Sequence, residues 1–189
     1  MNKKTLIYET AVKIFAKNGF DKTSVDDIAE SAKIAKGTIY YHFKSKDEIF
    51  LGLIENGIND LIDEIRRSVA SIDDPRAKLE TMLTVQLNFY QKYRDFCKVL
   101  VSEFSHLDTV WKKDIKKIQA EYHELIKSII DKGKQQNQFR EDLDSEAITI
   151  ALFSLIAVAG LSWALLHREI SIKTMHSNII SIFLNGIIA

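Results

Sequence analysis

The sequence predicts an all-α fold of about nine helices, arranged as a short three-helix unit followed by a longer helical body. Three observations lead there. One proline and seven glycines among 189 residues leave little material for turns, which favours a few long helices. Almost every segment longer than a turn repeats its apolar residues at the helical period. The composition, 46% hydrophobic and 28% charged, is that of a globular chain.

Taken in order, Ile7, Ala11, Ile14 and Phe15 line one face of a first helix, which should stop at Asn18-Gly19 with glycine in a left-handed cap. Thr23 or Ser24 can cap a second, short helix, with Asp26 and Asp27 in its first turn and Val25, Ile28, Ala29 and Ala32 on its buried side. Ile34-Ala35 then turns the chain, and a third short helix runs from Lys36 through Phe43. Ser45-Lys46-Asp47-Glu48 reads as a capping box, in which Glu48 reaches back to the cap. The long fourth helix it starts, over 47–71, carries Ile49, Phe50, Leu53, Ile54, Ile58, Leu61, Ile62, Ile65 and Val69. Pro75 suits the first turn of a fifth helix ending near Tyr93. A sixth should cover Asp95 to Phe104 and a seventh Val110 to Lys132. Asp144 caps an eighth with Glu146 in its first turn, and Ser171 opens a ninth.

Formal charge is zero overall, which by itself argues against nucleic acid. Its distribution argues the other way. Residues 1–50 hold nine lysines and seven acids, whereas 33–46 hold Lys33, Lys36, Lys44 and Lys46 and no acid. The first three helices, with a tight turn between the last two, have the layout in which a third helix enters a DNA major groove. In that third helix Ile39 and Phe43 can face the core, leaving Lys36, Thr38, Tyr41 and His42 on the other side and Tyr40 at the edge. Lysine and hydroxyl groups suit phosphates, base edges take hydrogen bonds, and Gly37 lets the backbone come close to a phosphate or sugar. The competing reading is a solvated face on which lysines only confer solubility; exposed tyrosines beside lysines weigh against it.

The string Thr23-Ser24-Val25-Asp26-Asp27-Ile28-Ala29, with Lys36-Gly37-Thr38-Ile39-Tyr40-Tyr41-His42-Phe43-Lys44-Ser45-Lys46-Asp47-Glu48, closely resembles the N-terminal signature of the TetR (tetracycline-repressor-like) family. The match extends to Ala16-Lys17-Asn18-Gly19-Phe20 and is dense over residues 5–50. The resemblance implies a helix-turn-helix DNA-binding domain at 1–46 and a ligand-binding and dimerisation domain at 47–189. It implies that Thr23 or Ser24 meets a phosphate, that Lys36, Gly37, Thr38 and Tyr41 lie at or near bases, and that Tyr40, His42 and Lys46 contact backbone, with Lys44 in the same basic segment. Its partners would be a palindromic double-stranded operator and a small-molecule effector. Release of the operator by effector is the polarity implied.

The body concentrates aromatic residues: Phe89, Tyr90, Tyr93, Phe96, Phe104, Trp111, Tyr122, Phe153 and Trp163, with His106 beside them. These are candidates to line a pocket for an apolar or aromatic ligand; aromatics at helical spacing equally serve as plain core. Ala147 to Leu166 holds twenty consecutive uncharged residues, long enough to span a bilayer. Thr149, Ser154, Gly160 and Ser162 dilute it, and a helix apolar on both faces fits the centre of a bundle. With the apolar surface of the ninth helix, it makes a homodimer interface the expected use, with no membrane contact.

The remaining motifs are weak. Glu103-x-x-His106 has a metal-like spacing but no second copy, so no metal and no cofactor are expected. Cys97, the single cysteine, excludes an internal disulfide and a cysteine-based zinc cluster. No nucleophile–base set or phosphate loop stands out, which argues against an enzyme. The N-terminus runs straight into amphipathic helix without a secretory signal, so a cytoplasmic location is expected. Two rival readings stay open at this point: a ligand-independent dimeric DNA-binding protein, and a helical hydrophobe carrier that touches membrane surfaces.

Overall fold

A computed structural model describes residues 2–102, 112–166 and 169–188. Among these residues the regular structure is helical: α1 (Lys3–Asn18), α2 (Val25–Ala32), α3 (Lys36–His42), α4 (Lys46–Val69), α5 (Pro75–Lys92), α6 (Arg94–Ser102), α7 (Lys112–Gln135), α8 (Ser145–Leu166) and α9 (Ile172–Ile187). The expected helices are all present. α7 runs three residues past its expected end at Lys132, and the expected end of the sixth helix at Phe104 lies outside the described residues.

Side-chain caps fix several helix starts, at Asp144 and Ser171 as anticipated and at Asp74, where Pro75 alone was the expected start signal. Asp74 Oδ2 accepts from the Ala77 amide at 2.8 Å, Asp144 Oδ1 from that of Ala147 at 2.8 Å, and Ser171 Oγ from that of Thr174 at 3.1 Å. Two ends differ from expectation. Gly19 has φ 85° and ψ 160°, outside the left-handed helical basin and in a region that only glycine occupies readily. The box at Ser45 is shifted by one residue: Ser45 Oγ accepts from the Glu48 amide, but Glu48 Oε2 takes the amide of Lys44 at 2.5 Å.

The chain divides into two compact units, Met1–Ile58 with Arg94–Ile115, and Asn59–Tyr93 with Lys116–Ala189, so α4 contributes to both. In the first, Ile7 and Phe15 of α1, Ile28 of α2, Ile39 of α3 and Ile49, Phe50 and Ile54 of α4 form the core. The rings of Phe15, Phe20 and Phe50 meet with centroids 5.0 to 5.8 Å apart, each such pair adding about 0.5–1.5 kcal/mol beyond area burial. α6 packs on α1, and its Phe96 ring fills the space a Cβ would take at Gly57 of α4.

In the second unit α5 packs against both α8 and α9. Leu79, Met82, Leu83 and Leu87 of α5, Ile126 and Ile130 of α7, and Ile148, Leu152, Ile156 and Trp163 of α8 are buried together with Leu184 and Ile187 of α9. The Arg140 amide donates to the Ile187 carbonyl at 2.8 Å, tying the end of α9 to the loop after α7. α8 is apolar on both faces, and among the described residues only one of them is covered. Ile150 is 53% exposed, Val158 64% and Leu166 58%, and 28% of the apolar stretch from Ser145 to Trp163 is buried. By length and composition alone that stretch would suffice to cross a membrane.

Candidate nucleic-acid interface

The entry to α2 is built by Ser24 and Asp27. Ser24 Oγ accepts from the Asp27 amide at 3.1 Å, while Asp27 Oδ2 accepts from the Ser24 amide and hydroxyl, both at 2.7 Å. Those bonds, the hydroxyl first, hold the Asp27 carboxyl below its usual range. Thr23 must be corrected. Its side chain is 2% exposed and its hydroxyl donates to the Gly19 carbonyl at 2.8 Å, so it closes the end of α1 and is not presented to a phosphate. Ser24, exposed at the same corner, is the hydroxyl that remains.

α3 turns two residues inward, Ile39 at 0% exposure and, just past the helix end, Phe43 at 3%. Its outer side carries Lys36, Gly37, Tyr40 and Tyr41, all exposed, with Thr38 and His42 half-buried. Tyr41 stands free over 84% of its surface, its ring edge-on to His42 with centroids 5.0 Å apart. A Cβ at Gly37 would meet nothing within 4 Å. Neither packing nor backbone conformation calls for glycine there, so the space it leaves is open to something outside the chain.

The lysines differ in how they are held. Lys44 is exposed. Lys36 Nζ is bonded to Asp26 Oδ2 at 2.8 Å, a link from α3 to the first turn of α2 that raises the lysine's pKa. Lys46 Nζ donates to the Phe20 carbonyl at 2.7 Å and lies 4.1 Å from the centroid of the Phe20 ring. It is therefore a strut between the start of α4 and the turn after α1, with its remaining N–H donors left for other contacts.

Residues 7–53 match the family described as bacterial regulatory proteins, tetR family, and residues 72–187 match the tetracyclin repressor-like C-terminal domain. The chain belongs to the TetR family. It is similar to the HTH-type transcriptional repressor KstR2 of Rhodococcus jostii, 26% identical over 186 residues that cover 98% of this chain and 91% of the relative. The fatty acid metabolism regulator protein of Bacillus subtilis is 22% identical over 181 residues, covering 96% and 93% of the two chains. The solved structure of FadR from Bacillus subtilis in complex with stearoyl-CoA superposes with a TM-score of 0.86 over 97% of this chain and 99% of that one, at 20% identity. As a TetR-family member the protein is a ligand-responsive DNA-binding transcriptional repressor.

The candidate ligand residues of this TetR-family body fall into three groups. Phe89, Tyr90, Tyr122 and Trp163 are each 5% exposed in the second unit, with Phe153 half-buried there. Tyr122 meets Phe153 edge-on with centroids 5.7 Å apart, and Trp163 Nε1 donates to the Ile170 carbonyl at 2.7 Å. Tyr93 is 40% exposed, and Phe96 belongs to the first unit, where it packs on Gly57. Phe104, His106 and Trp111 lie outside the described residues, as does the Glu103-x-x-His106 spacing.

Sequence reasoning missed Gln86, which is 2% exposed. Its carbonyl oxygen accepts from the Tyr122 hydroxyl and its amide nitrogen donates to the Tyr90 hydroxyl at 2.5 Å. The available signal was the Gln86–Tyr90 spacing of four on one helix. A cleft of about 460 Å³ opens elsewhere in the second unit, lined by Lys127, Asp131, Lys134 and residues 141–146. Its lining is mainly charged, and none of the aromatic candidates contributes to it. Cys97 is fully buried, and burial pushes its thiol pKa up to about 12, which removes the thiolate that redox chemistry requires.

Proposed function

We propose that the protein is a cytoplasmic homodimer that holds a near-palindromic operator through α3 of each subunit and releases it when a small, largely apolar effector binds the body at 47–189. The exposed outer side of α3, where Tyr40, Tyr41 and Lys36 flank a Gly37 that nothing in the chain requires, supports the DNA-binding part most directly. Ser24, Lys36, Gly37, Thr38, Tyr40, Tyr41, His42, Lys44 and Lys46 are the contacts assigned to it, with Lys36, Gly37, Thr38 and Tyr41 at or near bases and Ser24, Tyr40, His42, Lys44 and Lys46 at the phosphate backbone. Thr23 is left out for the reason given above.

The dimer is supported by the uncovered apolar stripe of α8, containing Ile150 and Val158, and by Ile182 of α9, which is 71% exposed. Apolar surface on this scale favours a partner. A two-fold dimer places two reading helices about one DNA turn apart, which makes the operator near-palindromic. An apolar effector is supported by the buried aromatics of the second unit and by the stearoyl-CoA held by the FadR relative. To act, that effector must bind the released state more tightly than the operator-bound one.

The test is selection of DNA from a random pool by the full chain, with sedimentation in parallel and a salt series on the enriched site. A single near-palindromic site bound by two subunits, with affinity falling steeply as salt rises, is the expected result. Long-chain acyl-CoA added to that complex should lower operator affinity. Weak, sequence-blind binding by a monomer would sink the proposal.

A further inference from the structure

We propose that Asp26 is a specificity-determining residue of the operator interface, acting as one half of an Asp26–Lys36 reading pair matched to a C·G base pair. This rests on α3 being the helix that reads DNA. Asp26 stands in the first turn of α2 and Lys36 is the first residue of α3, and their heads meet at 2.8 Å. The two side chains are 64% and 50% exposed, so the pair is open to solvent on the side where Ser24 begins α2.

An exposed ion pair of this kind contributes little to stability, which gives the fold little reason to keep an acid against this lysine. Its effect on DNA is larger. A carboxylate at the rim of a basic patch repels phosphates and cancels the charge of the lysine it binds, so the pair releases no counterion when any sequence is bound. The bond also supplies position. A lysine alone is a point charge on a flexible stem, whereas Lys36 Nζ is held by Oδ2 with two N–H donors still to give. Oδ1 takes no part in that bond and is an acceptor beside them.

A donor and an acceptor side by side fit a base edge that offers both, and C·G supplies them in the pairing that lysine and carboxylate favour. Guanine offers O6 and N7 to a lysine, and the cytosine N4 amine donates to a carboxylate. Weak attraction to every sequence combined with a match to one edge is how an interface gains discrimination rather than raw affinity. Asp26 would thus lower binding to random DNA and sharpen one operator position through Lys36.

The experiment compares the full-length protein with Asp26→Asn, Lys36→Met and the double variant on the selected operator and on random-sequence duplex across a salt series. Asp26→Asn should bind random duplex several-fold more tightly, with a salt slope steeper by about one per subunit, and should lose preference for C·G at one position in each half-site. In the Lys36→Met background the same change should leave base preference unaltered, so the two substitutions couple in a double-mutant cycle. Additive effects, an equal shift on operator and random DNA, or an unchanged preference would each overturn the pair. A wild-type chain that selects no site would overturn the DNA-binding proposal itself, and this one with it. Thermal melts check that all variants fold, which the exposure of both side chains and the intact Ser24–Asp27 cap favour.

Discussion

The Tyr90 ring lies directly on Gly160, so that a Cβ added to this glycine would run into the ring's Cδ2 and Cε2 atoms. Tyr90 cannot easily withdraw, since it is 5% exposed and its hydroxyl is bonded to the buried Gln86. Here α8 passes α5 with no room for a side chain. Gly160→Ala should gain about 1 kcal/mol of helix propensity but cost more through overpacking, for a net loss of roughly 1–2 kcal/mol in urea unfolding. Gly186→Ala, where a Cβ meets nothing within 4 Å, is the control and should be neutral or mildly stabilising.

Gln86→Leu should cost about 1–3 kcal/mol, because the Tyr122 hydroxyl loses its acceptor in a site without water access. Adding Tyr122→Phe should recover part of that loss, since both partners of the bond are then apolar. Strict additivity of the two in a denaturation cycle would show that the bond is not a coupled unit.

Cys97 makes a prediction about pH and reactivity. Burial raises its thiol pKa from the ordinary 9.0 to about 12, so the folded state prefers the protonated form. That contribution to stability is fully present below the unfolded value of 9.0 and is lost as pH rises through about 12. A thiol reagent at neutral pH should therefore label the native protein far more slowly than the protein in urea. Equal rates would contradict the burial of Cys97.

Lys46→Ala should cost about 1–2 kcal/mol of stability through loss of the bond to the Phe20 carbonyl and the contact with its ring. Lys44→Ala, at an exposed side chain, should leave the melting temperature nearly unchanged. Both should weaken binding to all DNA sequences alike and flatten the salt dependence. A Lys46→Ala protein that melts like the wild type would reduce this lysine to a plain phosphate contact.

Ile182→Glu or Val158→Glu places a charge on the uncovered apolar surface of α9 or α8 without touching the core. Sedimentation should show a monomer, and operator affinity should fall by roughly 10²-fold or more as the two half-sites cease to be held together. A variant that stays dimeric would move the interface elsewhere.

Much of the local structure was legible from short-range pattern. Apolar residues at spacings of three and four marked the helices, and the Thr23-Ser24 pair, Pro75, Asp144 and Ser171 marked where four of them begin. These signals are strong because a cap or an amphipathic turn is satisfied within a few residues of itself. Thr23 and Ser24 show the limit. As adjacent hydroxyls they are interchangeable in sequence, yet one bonds backward to Gly19 and is buried while the other caps forward and is exposed.

By itself the sequence determined the helical class, the order and approximate ends of the helices, and the basic signature of the N-terminal segment. Only the tertiary structure decided which face of α8 is covered, that Gln86 sits between two tyrosine hydroxyls, that Lys46 braces the Phe20 carbonyl, and that Lys36 is paired with Asp26. The reason is range. Helix formation and capping are settled among residues within four of one another, whereas the bonds of Lys36 to Asp26, Lys46 to Phe20 and Tyr122 to Gln86 join groups 10 to 36 positions apart. Such a partner is chosen by how the helices pack, and no periodicity along the chain encodes it.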